Sequence, residues 1–96
     1  MIDSCVSSGL KNVSAPLLKS PGRITGILLI TDGSNDASIT IHDSDKLAEG
    51  TILFKGTISG PSNFGGATFE IPVRAKRGIY ARLEGTGASY VIYYLE

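Results

Sequence analysis

The stretch 23–43, RITGILLITDGSNDASITIHD, constrains the fold of this chain more than any other. Two apolar runs, at 24–30 and 38–42, are rich in strand-forming residues and flank a cluster of turn formers at 32–36. In the second run the isoleucines alternate with Ser, Thr and His, which is the period of a strand with one buried and one solvated face. The stretch therefore predicts two β-strands joined as a hairpin.

The same alternation continues through the rest of the chain. Breaks rich in Gly, Pro, Asn and Asp separate further candidate strands, which lie at 51–59, 67–75, 79–84 and 88–95. Strand-like runs about 8 to 14 residues apart, with no long amphipathic helix, are typical of sandwiches and small barrels. We therefore predict an all-β protein: an antiparallel β-sandwich, jelly-roll-like, of about eight short strands.

The predicted sandwich occupies residues 1–96 as a single domain, because 96 residues support one modest core. Residues 1–20 contain two short mixed stretches that are either edge strands or an N-terminal arm that orders on a neighbour. The segment 44–51, SDKLAEGT, predicts a loop with at most one helical turn.

Charge and hydropathy exclude several classes of partner. Nine Lys and Arg balance nine Asp and Glu, so no net field draws the chain to nucleic acid or to an anionic membrane. The longest apolar run is far shorter than the about 20 residues that a membrane helix needs. The first residues, MIDSCVSSGLKN, lack the pattern of a secretion signal. We expect a soluble protein made in the cytoplasm, with no nucleic-acid or membrane partner.

No reactive constellation emerges from the polar residues. The twelve-residue register 32–43 superficially resembles a calcium loop, but it has Ala37 where the EF-hand requires glycine. His42 lies near Asp43 and Asp45 in sequence, yet one histidine and two carboxylates lack the further ligands or partners that a metal or acid/base site needs. We therefore expect no enzyme, no catalytic or metal-binding residues and no cofactor.

Two strands carry large apolar side chains on both faces, at 24–30 and 89–95, so a second surface must cover what the core does not. One interpretation is that the N-terminal strands provide this cover within one subunit. The other is that Tyr90, Ile92 and Tyr94 lie in a subunit or partner interface, where tyrosine is enriched. The sequence leaves both open.

Three segments together resemble a known family: SPGRITGILLITDGSNDASITIHDS, then GTILFKGTISG, then FEIPVRAKRGIYARLEGTGASYVIYY. Their order of an early glycine-containing strand, a DGSN turn, a GT-initiated strand and a GTGA turn before an aromatic strand is similar to that of small β-sandwich proteins encoded among the virion structural genes of tailed bacteriophages. The likeness covers residues 20–94. It implies an accessory virion protein and supplies no catalytic residue.

This resemblance sets the functional expectation. It implies a capsid decoration or cement protein, made in the host cytoplasm and carried in the virion, that stabilises the head by binding the shell. The expected partners are further copies of the chain, as a homo-oligomer such as a trimer, and the major capsid protein or another virion protein. The alternative is a neck, tail or fibre component, or a carbohydrate- or receptor-binding module in which Phe64 and Tyr80 flank the site. Phe64 is either packed on the core or presented to a partner.

Overall fold

The computed structural model describes residues 6–46 and 50–95. The segment 47–49, in which the sequence allows a helical turn, lies outside the described residues. The strands are Val6–Ser7 (β1), Ala15–Leu18 (β2), Gly22–Ile30 (β3), Ala37–His42 (β4), Ile52–Ile58 (β5), Phe64–Ala75 (β6), Ile79–Glu84 (β7) and Ser89–Leu95 (β8). A short 3-10 helix, Gly60–Ser62, precedes β6.

The strands form two four-stranded antiparallel sheets, and the predicted fold class is confirmed. The first sheet has the order β1-β8-β3-β6, and the second has the order β2-β7-β4-β5. The pairs β1–β8, β2–β7, β3–β6 and β4–β5 are therefore nested, as in a long antiparallel ribbon folded over on itself. This arrangement is an eight-stranded jelly roll.

The predicted hairpin between β3 and β4 is wrong, because the two strands belong to different sheets. Residues 31–36 instead cross from the first sheet to the second. Thr31 anchors the crossing: its hydroxyl donates to the carbonyl of Gly60 at 2.7 Å, and its N–H donates to the carbonyl of Asn63 at 2.7 Å. The turn formers at 32–36 suit either connection, and the contacts that decide between them come from a distant loop.

The N-terminal segment forms edge strands of the chain's own sandwich from residue 6 onwards. β1 adds to the edge of the first sheet beside β8, and β2 adds to the edge of the second sheet beside β7. Between them, Lys11 and Tyr90 exchange backbone hydrogen bonds at 2.9 and 2.8 Å. The segment thus closes one side of the sandwich.

One strand departs from the simple alternation. Simple alternation over 51–59 would place Ile52 in the core with Phe54, but Ile52 is 54% exposed. A register shift between β4 and β5 turns Leu53 towards the core beside Phe54. Gly56 pairs regularly with Ile39, and a Cβ added there would lie 3.1 Å from the ring of Phe54. A bulge changes which side chains face inward, so an alternation pattern cannot locate it alone.

The hydrophobic core lies between the two sheets. Its largest fully buried side chains are Ile24, Ile39, Ile41, Ile79, Tyr90 and Ile92. On the side where β5 and β6 form the sheet edges, Phe54 and Phe69 pack edge to face with ring centroids 5.8 Å apart. Pro72 lies within the register break between β3 and β6, on an edge strand, where proline is tolerated because no ladder hydrogen bond from its nitrogen is needed.

Candidate functional site

The three aromatic and aliphatic residues proposed for an interface lie inside the sandwich. Tyr90 and Ile92 are fully buried, and Tyr94 is 8% exposed. The hydroxyl of Tyr90 donates to the carbonyl of Val13 at 2.8 Å, and burial raises the pKa of Tyr90 to about 12. The Tyr94 hydroxyl reaches the carbonyl of Leu17 at 3.5 Å. The two tyrosines therefore bind the N-terminal segment of their own chain. All three side chains are buried in the sandwich, so they are not available for contact with a second subunit.

The opposite face of the first sheet carries the apolar side chains that lie outside the core. In β3, Ile27 and Leu29 are 4% and 3% exposed, whereas Leu28 and Ile30, which alternate with them, stay partly exposed. The same alternation holds in β8, where the residues between the buried ones face outward. We call this outward surface the apolar face; it consists of Leu28, Ile30, Phe64, Val91, Tyr93 and Leu95.

The register brings these side chains together. Ile30 lies directly opposite Phe64 of β6, and Leu28 lies directly opposite Val91 of β8. Phe64 is 68% exposed, which settles its placement: it is presented to the surroundings and not packed on the core. Tyr93 is 37% exposed. Large apolar residues that adjoin one another on an exposed sheet are typical of a contact surface.

Glycines let the strands of this sheet approach each other closely. Gly66 lies opposite Leu28 in β6, and Gly26 lies opposite Tyr93 in β3. Gly26 is buried, and a Cβ added at Gly66 would clash with the backbone carbonyl of Ile27, so both positions are filled within the chain. The sequence signal for this surface was the apolar content on both faces of β3 and β8, but that signal did not say which face turns outward.

Two arginines mark one end of the apolar face. Arg23 and Arg74 are direct cross-strand neighbours in β3 and β6, and both are exposed. Like charges directly opposite each other on a sheet are destabilising. Among the side chains that the structure describes, neither guanidinium has an ion-pair partner, and the ion pair found there joins Arg82 and Glu84 at 3.4 Å. A hollow of about 360 Å³ borders both arginines and is completed by Pro21, Gly22 and Ala75.

A carboxylate marks the other end. Asp32 lies two positions beyond Ile30, the last residue of β3, and a Cβ added at Gly87, just before β8, would lie 2.8 Å from the Cβ of Asp32. One carboxylate oxygen accepts the backbone N–H groups of Ser34 and Asn35 at 2.9 and 2.8 Å, and the other accepts the side-chain amide of Asn35. Hydrogen bonds from Asn35 and Ser34 hold the pKa of Asp32 below its usual value, so this end of the face is anionic at neutral pH.

The outer face of the second sheet is polar by comparison. The hydroxyls of Ser38 and Thr57 lie 2.8 Å apart across β4 and β5. Farther along the same face, Thr40 of β4 lies between Lys55 of β5 and Arg82 of β7. Charged and hydroxyl side chains suit a solvated sheet face. The two sides of the sandwich therefore differ in chemistry, and the apolar side is the candidate functional site.

The structure separates the two residues of the predicted carbohydrate site. Tyr80 belongs to β7 of the second sheet, where it pairs with His42 and Pro16. Phe64 belongs to β6 of the first sheet, on the opposite side of the sandwich. A sugar-binding platform needs its aromatic side chain beside the other ligand-contacting groups. Phe64 and Tyr80 cannot serve one such site.

Asp43 has a structural role in the turn between β6 and β7. Its carboxylate is 8% exposed and accepts the backbone N–H groups of Lys76, Arg77 and Gly78 at 3.1, 2.7 and 3.3 Å. Burial acts to raise the pKa of Asp43, but the three hydrogen bonds outweigh burial and hold the pKa below its usual value. Neighbouring His42 is buried, and neither ring nitrogen has a hydrogen-bond partner.

The calcium-like register 32–43 is likewise used within the fold. Asp32 caps its own turn, as described above, and Asp36 accepts the N–H of Gly60 at 2.9 Å. Among the residues that the structure describes, no three His, Cys, Asp or Glu side chains are grouped as a metal site requires. These carboxylates hold loops together through backbone N–H groups.

We compared the chain with known protein families, curated proteins and solved structures. No protein-family model, no curated protein and no solved structure matches the chain. The described residues include no helix long and apolar enough to cross a membrane. Because a jelly roll serves many unrelated functions, the role of this chain must be argued from its surface.

Proposed function

We propose that this chain is a bacteriophage virion structural protein, of the capsid decoration or cement type, that binds the shell as a homo-oligomer. The apolar face carries the proposal. Covering such a face lowers the free energy of the chain in water by about 25 cal/mol for each Å² of apolar surface removed from water. The partners are further copies of the chain and the major capsid protein or another virion protein.

The two sides of the sandwich fit this role. A decoration protein that assembles as a homo-oligomer needs one surface that joins its copies and another that remains for the shell and the solvent; the apolar face suits the first need, and the polar outer face of the second sheet remains for the second. It needs no reactive group. The nested strand pairs and the anchored N-terminal segment give a stiff scaffold for the adhesive face, and many symmetric copies on one particle multiply a modest affinity. A neck, tail or fibre component would use the same surface but differ in copy number.

Quantitative mass spectrometry of purified particles tests the proposal by comparing the copy number of this chain with that of the major shell protein. A ratio of the same order supports a decoration protein, whereas a few copies per particle indicate a neck, tail or fibre part. Absence from the particle contradicts a virion role.

A variant pair links incorporation to the apolar face. Phe64→Ser combined with Tyr93→Ser removes the two most exposed aromatic side chains of that face, and we expect at least a tenfold loss of incorporation. Tyr80→Ser is the matched control, because it removes a tyrosine from the opposite side of the sandwich. Equal incorporation of the double variant and the control would contradict the assignment of the face.

A further inference from the structure

We infer that a second copy of this chain covers the apolar face, with the first sheets of the two copies packed face to face and their strands antiparallel across the interface. In this arrangement Arg23 and Arg74 of each copy face Asp32 of the other. The inference deepens the proposed function and rests on it, since it names the partner, symmetry and contacts of the proposed homo-oligomer.

Two identical copies whose sheets pack with aligned strands can bring the same face together in two ways. The two-fold axis lies in the interface plane and runs either along the strands or across them. An axis along the strands sets the arginine ends against each other and collects four guanidinium groups. An axis across the strands sets each arginine end against the Asp32 end of the partner copy. Electrostatic complementarity selects the second arrangement.

The charges at the two ends are available for this contact. Neither Arg23 nor Arg74 has an ion-pair partner in the described part of its own chain, and both border the hollow of about 360 Å³. Asp32 is exposed, and its carboxylate accepts three hydrogen bonds of the about four that its two oxygens can accept. A carboxylate between two arginines relieves the like-charge pair and gains charge-assisted hydrogen bonds.

The middle of the face suits self-packing. Leu28, Val91 and Tyr93 lie midway between the charged ends, so the two-fold axis brings each near the same residues of the other copy. These apolar side chains can therefore pack against each other between sheets at the usual spacing of about 10 Å.

The available area indicates a dimer of moderate strength. Three long strands about 4.8 Å apart, with about eight residues each at about 3.3 Å, present roughly 400 Å² in projection. The accessible surface of a rough face exceeds its projection, so two copies bury on the order of 1,000 Å² together, near the lower end for specific complexes. We expect a micromolar dissociation constant that rises with salt concentration, because exposed ion pairs are screened.

Sedimentation velocity of the purified full chain over a wide concentration range tests this arrangement. The unmodified chain should change from monomer to dimer as concentration rises. Arg23→Glu combined with Arg74→Glu should weaken the dimer at least tenfold. Asp32→Asn removes the charge but keeps an acceptor oxygen for its turn, so it should weaken the dimer while circular dichroism stays native. Lys55→Glu, on the outer face of the second sheet, is the control and should leave the dimer unchanged.

Charge exchange gives the sharpest result. Asp32→Lys should not self-associate, but mixed with the Arg23→Glu/Arg74→Glu chain it should form a heterodimer. At one end of this heterodimer the original arginines face the original Asp32. At the other end both charges are reversed, so they attract each other again. Failure of the mixture to associate would overturn the inference if both variants are folded by circular dichroism. A monomer at all concentrations, a trimer, or a dimer insensitive to the arginine changes would also overturn it.

These outcomes separate the inference from the proposed function. A chain that is monomeric in solution yet abundant in particles overturns the inference and the homo-oligomer but keeps the virion role, with the shell protein covering the apolar face. A charge-dependent dimer that is absent from particles supports the inference and removes the virion role.

Discussion

Replacing Asp43 by alanine should destabilise the fold strongly, because one buried carboxylate holds three backbone N–H groups of the β6–β7 turn. The N–H of buried Gly78 loses its acceptor without access to water, which costs about 1–3 kcal/mol. Lys76 and Arg77 are exposed, so their N–H groups regain water and cost about 0.5–1.5 kcal/mol each. The expected loss is about 3 kcal/mol in the free energy of unfolding.

The acid dependence of stability gives a second readout. The pKa of Asp43 is lower in the folded chain than in the unfolded chain, so its contribution is fully present above the unfolded pKa, near 3.8. It is lost as pH falls from there through the folded pKa. The alanine variant lacks this contribution and should lose less stability over the same acid range. Asp43→Asn keeps one acceptor oxygen, so its stability at neutral pH should fall between those of the unmodified chain and the alanine variant. Its acid dependence should match that of the alanine variant, because an amide does not titrate.

Urea denaturation followed by far-ultraviolet circular dichroism measures both effects. Asp45→Ala is the matched control; it removes a carboxylate two residues away and should change stability by less than about 0.5 kcal/mol. A cost below about 1 kcal/mol for Asp43→Ala, or an acid dependence equal to that of the unmodified chain, would refute the role assigned to these hydrogen bonds.

Further predictions concern Tyr90 and Gly60. Tyr90→Phe should cost about 1 kcal/mol in chemical denaturation through the lost bond to Val13; no cost would contradict that bond. Spectrophotometric titration of the four tyrosines should find one pKa of about 12, that of Tyr90. Because this pKa is higher in the folded chain than in the unfolded chain, Tyr90 stabilises the fold fully below about pH 10, and this contribution is lost as pH rises through 12. Four titrations at the usual pKa of tyrosine would contradict its burial. Gly60→Ala should lower the free energy of unfolding by more than about 2 kcal/mol, because its methyl group would clash with the backbone of Ser34. In Gly9→Ala the methyl group meets no atom within 4 Å, so this variant should lose only about 1 kcal/mol. Equal losses in the two variants would refute the clash.

Local patterning was sufficient to predict the all-β class and the approximate positions of the strands. Alternation and turn formers are short-range signals, and they act within each strand regardless of its partner. Sheet membership is a long-range property. The turn formers at 32–36 allow a hairpin, but the bonds from Thr31 to Gly60 and Asn63 direct the chain to the other sheet. Those partners lie in a loop that the local pattern does not connect to Thr31.

The candidate site was predictable only in outline, for the same reason. The final strand, SYVIYYL, is apolar on both faces, so its sequence indicates a second covered surface without saying which face it is. The hydroxyl of Tyr90 decides the matter by reaching Val13, 77 residues away in the chain. The pairing of Arg23 with Arg74 depends on the β3–β6 register. No local window of sequence contains these partners.

The contact role of the apolar face is tested most directly by intermolecular nuclear Overhauser effects in a mixture of isotope-labelled and unlabelled chain. We predict contacts between the methyl groups of Leu28 and Val91 in one copy and the ring of Tyr93 in the other, because all three lie near the expected two-fold axis. These signals should weaken on dilution. Their absence in a concentrated sample, with methyl shifts that do not change on dilution, would contradict a contact between copies at this face.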